Sequence, residues 1–209
     1  MIRGLWTVLF IIILSFGVKA QPFEKLQIGV STGIASGWWV YTLGTGAGID
    51  RTDTQPKITL EGEVLFKLKR FGLGAGLGYS LLMTNTMDAF EDTRAQRSKY
   101  RIADNHVQLL QYYLQMEYAL FSGLKYKLSP QVRIGGFSID TTHPQKENFD
   151  NKMFFELSAV NEISLSERLW FTIRPFYQAM MISVKEELLP GEQHRIFSLG
   201  LSFGIRYGI

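Results

Sequence analysis

The sequence predicts an all-β fold: a closed, antiparallel, up-and-down transmembrane β-barrel of eight strands. Three observations carry that expectation. From Phe197 to Ile209 every odd position is large and apolar or aromatic, and every even position is Ser, Gly or Arg. Successive side chains of a strand point to opposite faces, so this stretch is a ribbon with one greasy face and one small or polar face. Similar alternation recurs along the chain in segments of roughly 9–13 residues, the length that crosses a bilayer at a tilt. The segments are joined by connections that alternate between long and short, as when loops gather on one side of a membrane and turns on the other.

Composition agrees. Aromatics reach 13% and glycine 20 residues, while charged residues are 20%. Mean hydropathy is +0.02, which fits neither a disordered chain nor a bundle of membrane helices. With no cysteine, neither a disulfide nor a cysteine-linked lipid anchor is available. The formal charge is +3, and removing Arg3 and Lys19 with a leader leaves +1. That is too little to point to nucleic acid.

Met1 to Ala20 reads as a cleaved signal peptide. Arg3 supplies the positive start, Leu5 to Phe16 the apolar run, and Val18-Lys19-Ala20 the cleavage positions. The apolar run is shorter than the ~20 residues of a spanning helix. Residues 21–209 form the barrel domain, and they contain no long apolar stretch, so any crossing is made by strands.

In the first strand, Leu26, Ile28, Val30 and Ile34 share one face, and Trp38, Trp39 and Tyr41 follow as an expected aromatic girdle. In the second, Ile58, Leu60, Val64, Phe66 and Leu68 oppose Glu61, Glu63, Lys67 and Lys69. The third carries Gly72, Gly74, Gly76 and Gly78 on one face and Leu73, Ala75, Leu77 and Tyr79 on the other. Glycine weakens strands, so such a row needs a reason, and room for bulky polar side chains inside a narrow barrel is one. A nucleotide-binding glycine loop would need a helix after it, and no helical pattern follows.

The fourth strand, Gln108 to Leu120, turns Leu110, Tyr112, Leu114 and Met116 outward and Gln111, Tyr113, Gln115 and Glu117 inward. The fifth is Gln131 to Ile139, where Gly135-Gly136 marks a bulge. The sixth, Met153 to Leu165, places Phe155, Leu157 and Ile163 outward and Glu156, Ser158 and Glu162 inward, with Asn161 anomalous on the outer face. The seventh, Leu169 to Ser183, contains Pro175, which a closed barrel accepts at a bulge. The eighth is the ribbon described first. Connections fall at 42–57, 69–71, 84–105, 121–130, 140–152, 166–168 and 184–194. An even strand count places both termini on the short-turn, periplasmic side.

On these residues the chain resembles the small eight-stranded outer-membrane barrels of Gram-negative bacteria, of the OmpX-like and PorT-like kind. The resemblance spans Leu26 to Ile209. It rests on the alternation, the Gly72 to Gly78 row, Arg133-Ile134-Gly135-Gly136 and the last strand. It implies an integral outer-membrane location and marks an architecture rather than an activity. The family often ends in an aromatic residue; here Ile209 stands last, with Tyr207 and Phe203 on its face.

The candidate site is the lumen. Glu61, Glu63, Lys67, Glu117, Glu156, Glu162, Arg174 and Arg206 point inward, joined by Arg133. They form either a structural network of paired charges or an ion or small-ligand path, and an eight-stranded barrel is barely wide enough for its own side chains. No catalytic residue is expected. Some outer-membrane barrels act on lipid A, one type through His and Ser two apart, but the residues two after His106, His143 and His194 are Gln108, Gln145 and Ile196. His194 and Ser198 lie ~13 Å apart on one strand face, too far for a base and its nucleophile. No histidine spacing marks a metal site, and no cofactor is implied. Arg94, Arg97, Lys99 and Arg101 in the longest loop are candidates for lipopolysaccharide phosphates or a surface partner. Expected partners are outer-membrane lipids including lipopolysaccharide, the barrel assembly machinery, and an envelope or secretion protein. The function expected is structural or surface interaction, with a narrow channel as the alternative.

Overall fold

The computed structural model describes residues 25–42, 49–84, 106–140, 149–184 and 193–209. The signal peptide, Arg94, Arg97, Lys99 and Arg101, and the side chains of Trp38, Trp39 and Tyr41 lie outside the described residues. Nine strands follow in chain order: β1 (Lys25–Thr42), β2 (Ile49–Leu68), β3 (Phe71–Thr84), β4 (His106–Tyr118), β5 (Phe121–Ser122), β6 (Tyr126–Asp140), β7 (Phe149–Ser164), β8 (Leu169–Val184) and β9 (Gln193–Gly208). Each pairs antiparallel with its neighbour. β1 pairs with β9 and β4 with β6, so the sheet closes on itself. Eight strands cross the wall. The two-residue β5 continues β4 beyond a slip in register and pairs Phe121 with Leu128.

Closure leaves no long edge unpaired, which a bilayer demands because lipid offers backbone groups no hydrogen bonds. The outer surface carries a band of exposed aliphatic and aromatic side chains, including Ile28, Leu60, Leu77, Leu114, Leu157 and Leu199. A water-soluble monomer seldom exposes so large an apolar area; a barrel in lipid must.

The strand faces follow the predicted alternation, with local departures. Residues 42–57 do not form one long loop. The β1–β2 ladder continues through Thr42 paired with Ile49, because backbone pairing needs no apolar face to persist. Its register slips between Lys57 and Thr54 on both sides of β2, so the proline that occupies a bulge is Pro56. Gly135-Gly136 is not a bulge: β6 keeps one register with β4 and β7 through both glycines. Lys69 does not face inward. It forms the β2–β3 turn with a φ of 53° and is exposed.

Pro175 is not at a bulge either. The β7–β8 pairs stop at Ser158–Phe176 and resume at Asn161–Ile173 in the same register. By that register Pro175 stands opposite Ala159 and has no N–H to donate. The Asn161 side chain supplies the donor, its Nδ2 reaching the carbonyls of Ala159 and Ile173 at 3.2 Å each. Tyr126 Oη donates to Asn161 Oδ1 at 2.6 Å. The two anomalies of the outer wall are one local solution.

Candidate functional site

The lumen is built on glycine troughs. Along β3, Gly76 stands between Glu63 of β2 and Tyr113 of β4, and Gly78 between Glu61 and Gln111. A Cβ on Gly76 would run into the Tyr113 ring, and one on Gly72 would lie 2.7 Å from Glu117 Cγ. The troughs let long side chains cross a neighbouring strand. Arg133 of β6 reaches past β4 and β3 to β2, with Nη1 2.9 Å from Glu61 Oε2 and Nη2 2.7 Å from Glu63 Oε2. Its guanidinium lies over the Tyr113 ring, 4.4 Å from the centroid, and Nε donates to Gln115 Oε1 at 3.1 Å.

Arg206 performs the same service from β9. Its Nε crosses β1 to Glu63 Oε1 at 2.6 Å, while Nη1 meets Glu162 Oε1 at 2.7 Å and Glu117 Oε2 at 3.0 Å. The strand it crosses carries Gly29, where a Cβ would come within 2.9 Å of Glu63. Lys67 bridges Glu117 at 3.0 Å and Glu162 at 3.2 Å. Arg174 pairs with Glu61 and lies 3.9 Å from Glu156 Oε1, which is 3.5 Å from Arg133 Nη1. All nine predicted lumen residues therefore enter one connected cluster, bound by charge-assisted contacts in which each arginine bridges different carboxylates.

One member went unrecognised in the sequence. Lys57 is buried, hydrogen-bonds to Gln178, and approaches the Phe176 ring at 5.7 Å. Gln178 passes the contact on to Glu156 Oε2 at 3.1 Å. With Lys57 included, and with Lys127 approaching Glu162 from the short-turn end at 3.9 Å, five carboxylates (Glu61, Glu63, Glu117, Glu156 and Glu162) meet six cations (Lys57, Lys67, Lys127, Arg133, Arg174 and Arg206) among the described residues.

A second layer was not anticipated. Toward the long-loop end the inward side chains are apolar: Leu82, Leu109, Tyr113, Phe137, Ile139, Phe154, Met180, Ile182 and Ile196 form a buried cluster. Tyr113 joins the layers, packing edge-on against Phe154 at 6.2 Å while holding Arg133 on its face. The lumen thus holds a charged layer with an apolar layer beyond it. Among the described residues no cluster of His and acidic side chains has the arrangement to hold a metal ion.

No protein-family model matches the chain, and no curated protein does. Among solved structures, the crystal structure of the outer membrane protein OprG from Pseudomonas aeruginosa aligns with a TM-score of 0.52 at 9% identity, over 88% of this chain and 95% of that one. The chain has the fold of a small outer-membrane β-barrel. Neisserial surface protein A (NspA) aligns at TM-score 0.48 and 10% identity, over 86% and 96% of the two chains. The solid-state NMR structure of AlkL in lipid bilayers aligns at 0.46 and 15%, over 92% and 94%. At these identities the likeness speaks to architecture, and any activity must be argued from this chain's own residues.

Proposed function

We propose that this protein is an integral outer-membrane barrel that serves as a non-conducting, non-enzymatic scaffold, carrying its long loops at the cell surface and its termini in the periplasm. The observation that carries this reading is the crowded lumen, where each of the five carboxylates is paired with at least one cation. A path for ions needs an open bore lined by polar groups free to replace the ion's hydration. Here the charges are spent on each other, and the apolar layer beyond them opposes water and ions alike.

With the lumen closed, interaction falls to the loops and rims. The resemblance to OmpX-like and PorT-like barrels supports a role in surface contact or envelope assembly, with an envelope or secretion protein as partner and the barrel assembly machinery as the route of insertion. Arg94, Arg97, Lys99 and Arg101 are the residues we assign to lipopolysaccharide phosphates or to that partner. The narrow-channel alternative would require the ion pairs to part.

Crosslinking in intact envelopes followed by affinity capture tests the scaffold reading. We expect a reproducible protein partner crosslinked through the longest loop and lost when Arg94, Arg97, Lys99 and Arg101 are changed to Gln together. Capture that is indifferent to those four substitutions would remove the loop from the account.

A further inference from the structure

The short-turn end of the barrel is braced by backbone hydrogen bonds that run from element to element. Ala119 N donates to Arg70 O at 2.7 Å, Ser164 N to Lys125 O at 2.9 Å, Gly208 N to Arg168 O at 2.8 Å, and Ile209 N to Leu26 O at 2.8 Å. Three of the four acceptors are carbonyls of basic residues. Each of the three connections at this end therefore carries a basic residue on a backbone pinned at its own place on the circumference. Lys69 stands beside Arg70 in the β2–β3 turn. Lys69, Arg70, Lys125 and Arg168 are exposed, and Glu167 is the one exposed acidic side chain among the described residues of this rim.

Immediately beside these cations the outer wall turns apolar. Phe71 follows Arg70, Leu124 precedes Lys125 and is 96% exposed, and Tyr126 follows it. A basic ring directly above a lipid-facing band sits at the height of the headgroups. We propose that this rim is a binding collar for anionic phospholipid headgroups of the leaflet facing the short turns. Charge complementarity selects an anion. The distribution selects a lipid: the cations are spread around the circumference, one set per turn and each next to a bilayer-facing side chain, whereas the docking patch of a soluble protein would be gathered on one side or across the mouth. Lipids surround a barrel; a single partner does not. The lumen plays no part in this inference, so a conductance measurement leaves it untouched.

The test is lipid selectivity of the full-length protein in phosphatidylcholine bilayers, read with trace spin-labelled phosphatidylglycerol and spin-labelled phosphatidylcholine. We expect a preference for phosphatidylglycerol of about three-fold or more at low salt, falling toward parity in 1 M NaCl, where the screening length is only ~3 Å. The variant Lys69→Gln/Arg70→Gln/Lys125→Gln/Arg168→Gln, checked for retained β structure by circular dichroism, should sit near parity at low salt. Should it fail to fold, the pairs Lys69→Gln/Arg70→Gln and Lys125→Gln/Arg168→Gln each remove part of the preference. Parity in the unaltered protein, selectivity indifferent to salt, or selectivity retained in the folded variants would overturn the proposal. So would capture of an acidic soluble protein by the rim with lipid selectivity at parity.

Discussion

Asn161 and Pro175 show how one residue's fault becomes another's role. Each is a poor choice for a barrel wall alone: an amide facing lipid, and a strand residue without an N–H. Together they restore a donor to the Ala159 carbonyl. Asn161→Leu should therefore cost about 1–3 kcal/mol, the penalty of a polar backbone group left without a partner in lipid. Adding Pro175→Thr returns a ladder N–H, so the double variant should be less destabilised than the sum of the single changes. Strictly additive costs in urea unfolding from liposomes would contradict the pairing. Arg206 sits at the opposite extreme, holding Glu63, Glu117 and Glu162 at once. Arg206→Met removes the cation common to all three, leaving Glu63 to Arg133 and Glu117 and Glu162 to Lys67, and should cost roughly 3–5 kcal/mol by the same measurement. The inward placement of these charges was legible from alternation alone. Their partners were not, because pairing depends on how far strands stagger around the barrel. Lys57 was missed because it follows Pro56 in a stretch rich in Thr and Asp, where a loop was the natural reading.

The strands themselves were the most legible level. Wherever apolar and polar residues alternate cleanly, as from Gly72 to Ser80 or Phe197 to Ile209, the predicted faces match the structure. The phase carried through Leu81 and Leu109-Leu110, whose faces also match, but Met180-Met181-Ile182 carries no contrast, and its inward members Met180 and Ile182 join Leu82 and Leu109 in the apolar layer. Bulges were misplaced for a related reason: a glycine or proline announces freedom or a missing donor, but the ladder decides where the slip occurs. The glycine row makes a sharp test at this scale. Gly72→Val should displace Glu117 and cost about 1–3 kcal/mol through overpacking. Gly62→Ala, on the lipid face with nothing within 4 Å of its added methyl, should stay within about 0.5 kcal/mol of the parent. Equal effects at the two positions would mean that the row serves something other than the side chains beside it. Leu201→Arg, placing charge on the lipid face of β9, should cost about 2–4 kcal/mol; unchanged stability in liposomes would reverse the face assignment.

At the scale of the whole molecule, closure of the wall and filling of the interior are one problem. A barrel of eight strands encloses little space, and here the strands supply a cation for every inward carboxylate of the cluster, with glycines where the guanidinium groups must pass. The pairing leaves no carboxylate of this cluster without a cation, and the buried apolar layer lies in series with it. Single-channel recording of the purified protein in a planar bilayer tests this directly. The account predicts a silent membrane, with no steady openings at moderate voltage. Steady, ion-selective openings whose conductance or selectivity changes with Glu63→Gln would show that the network is a path rather than a plug.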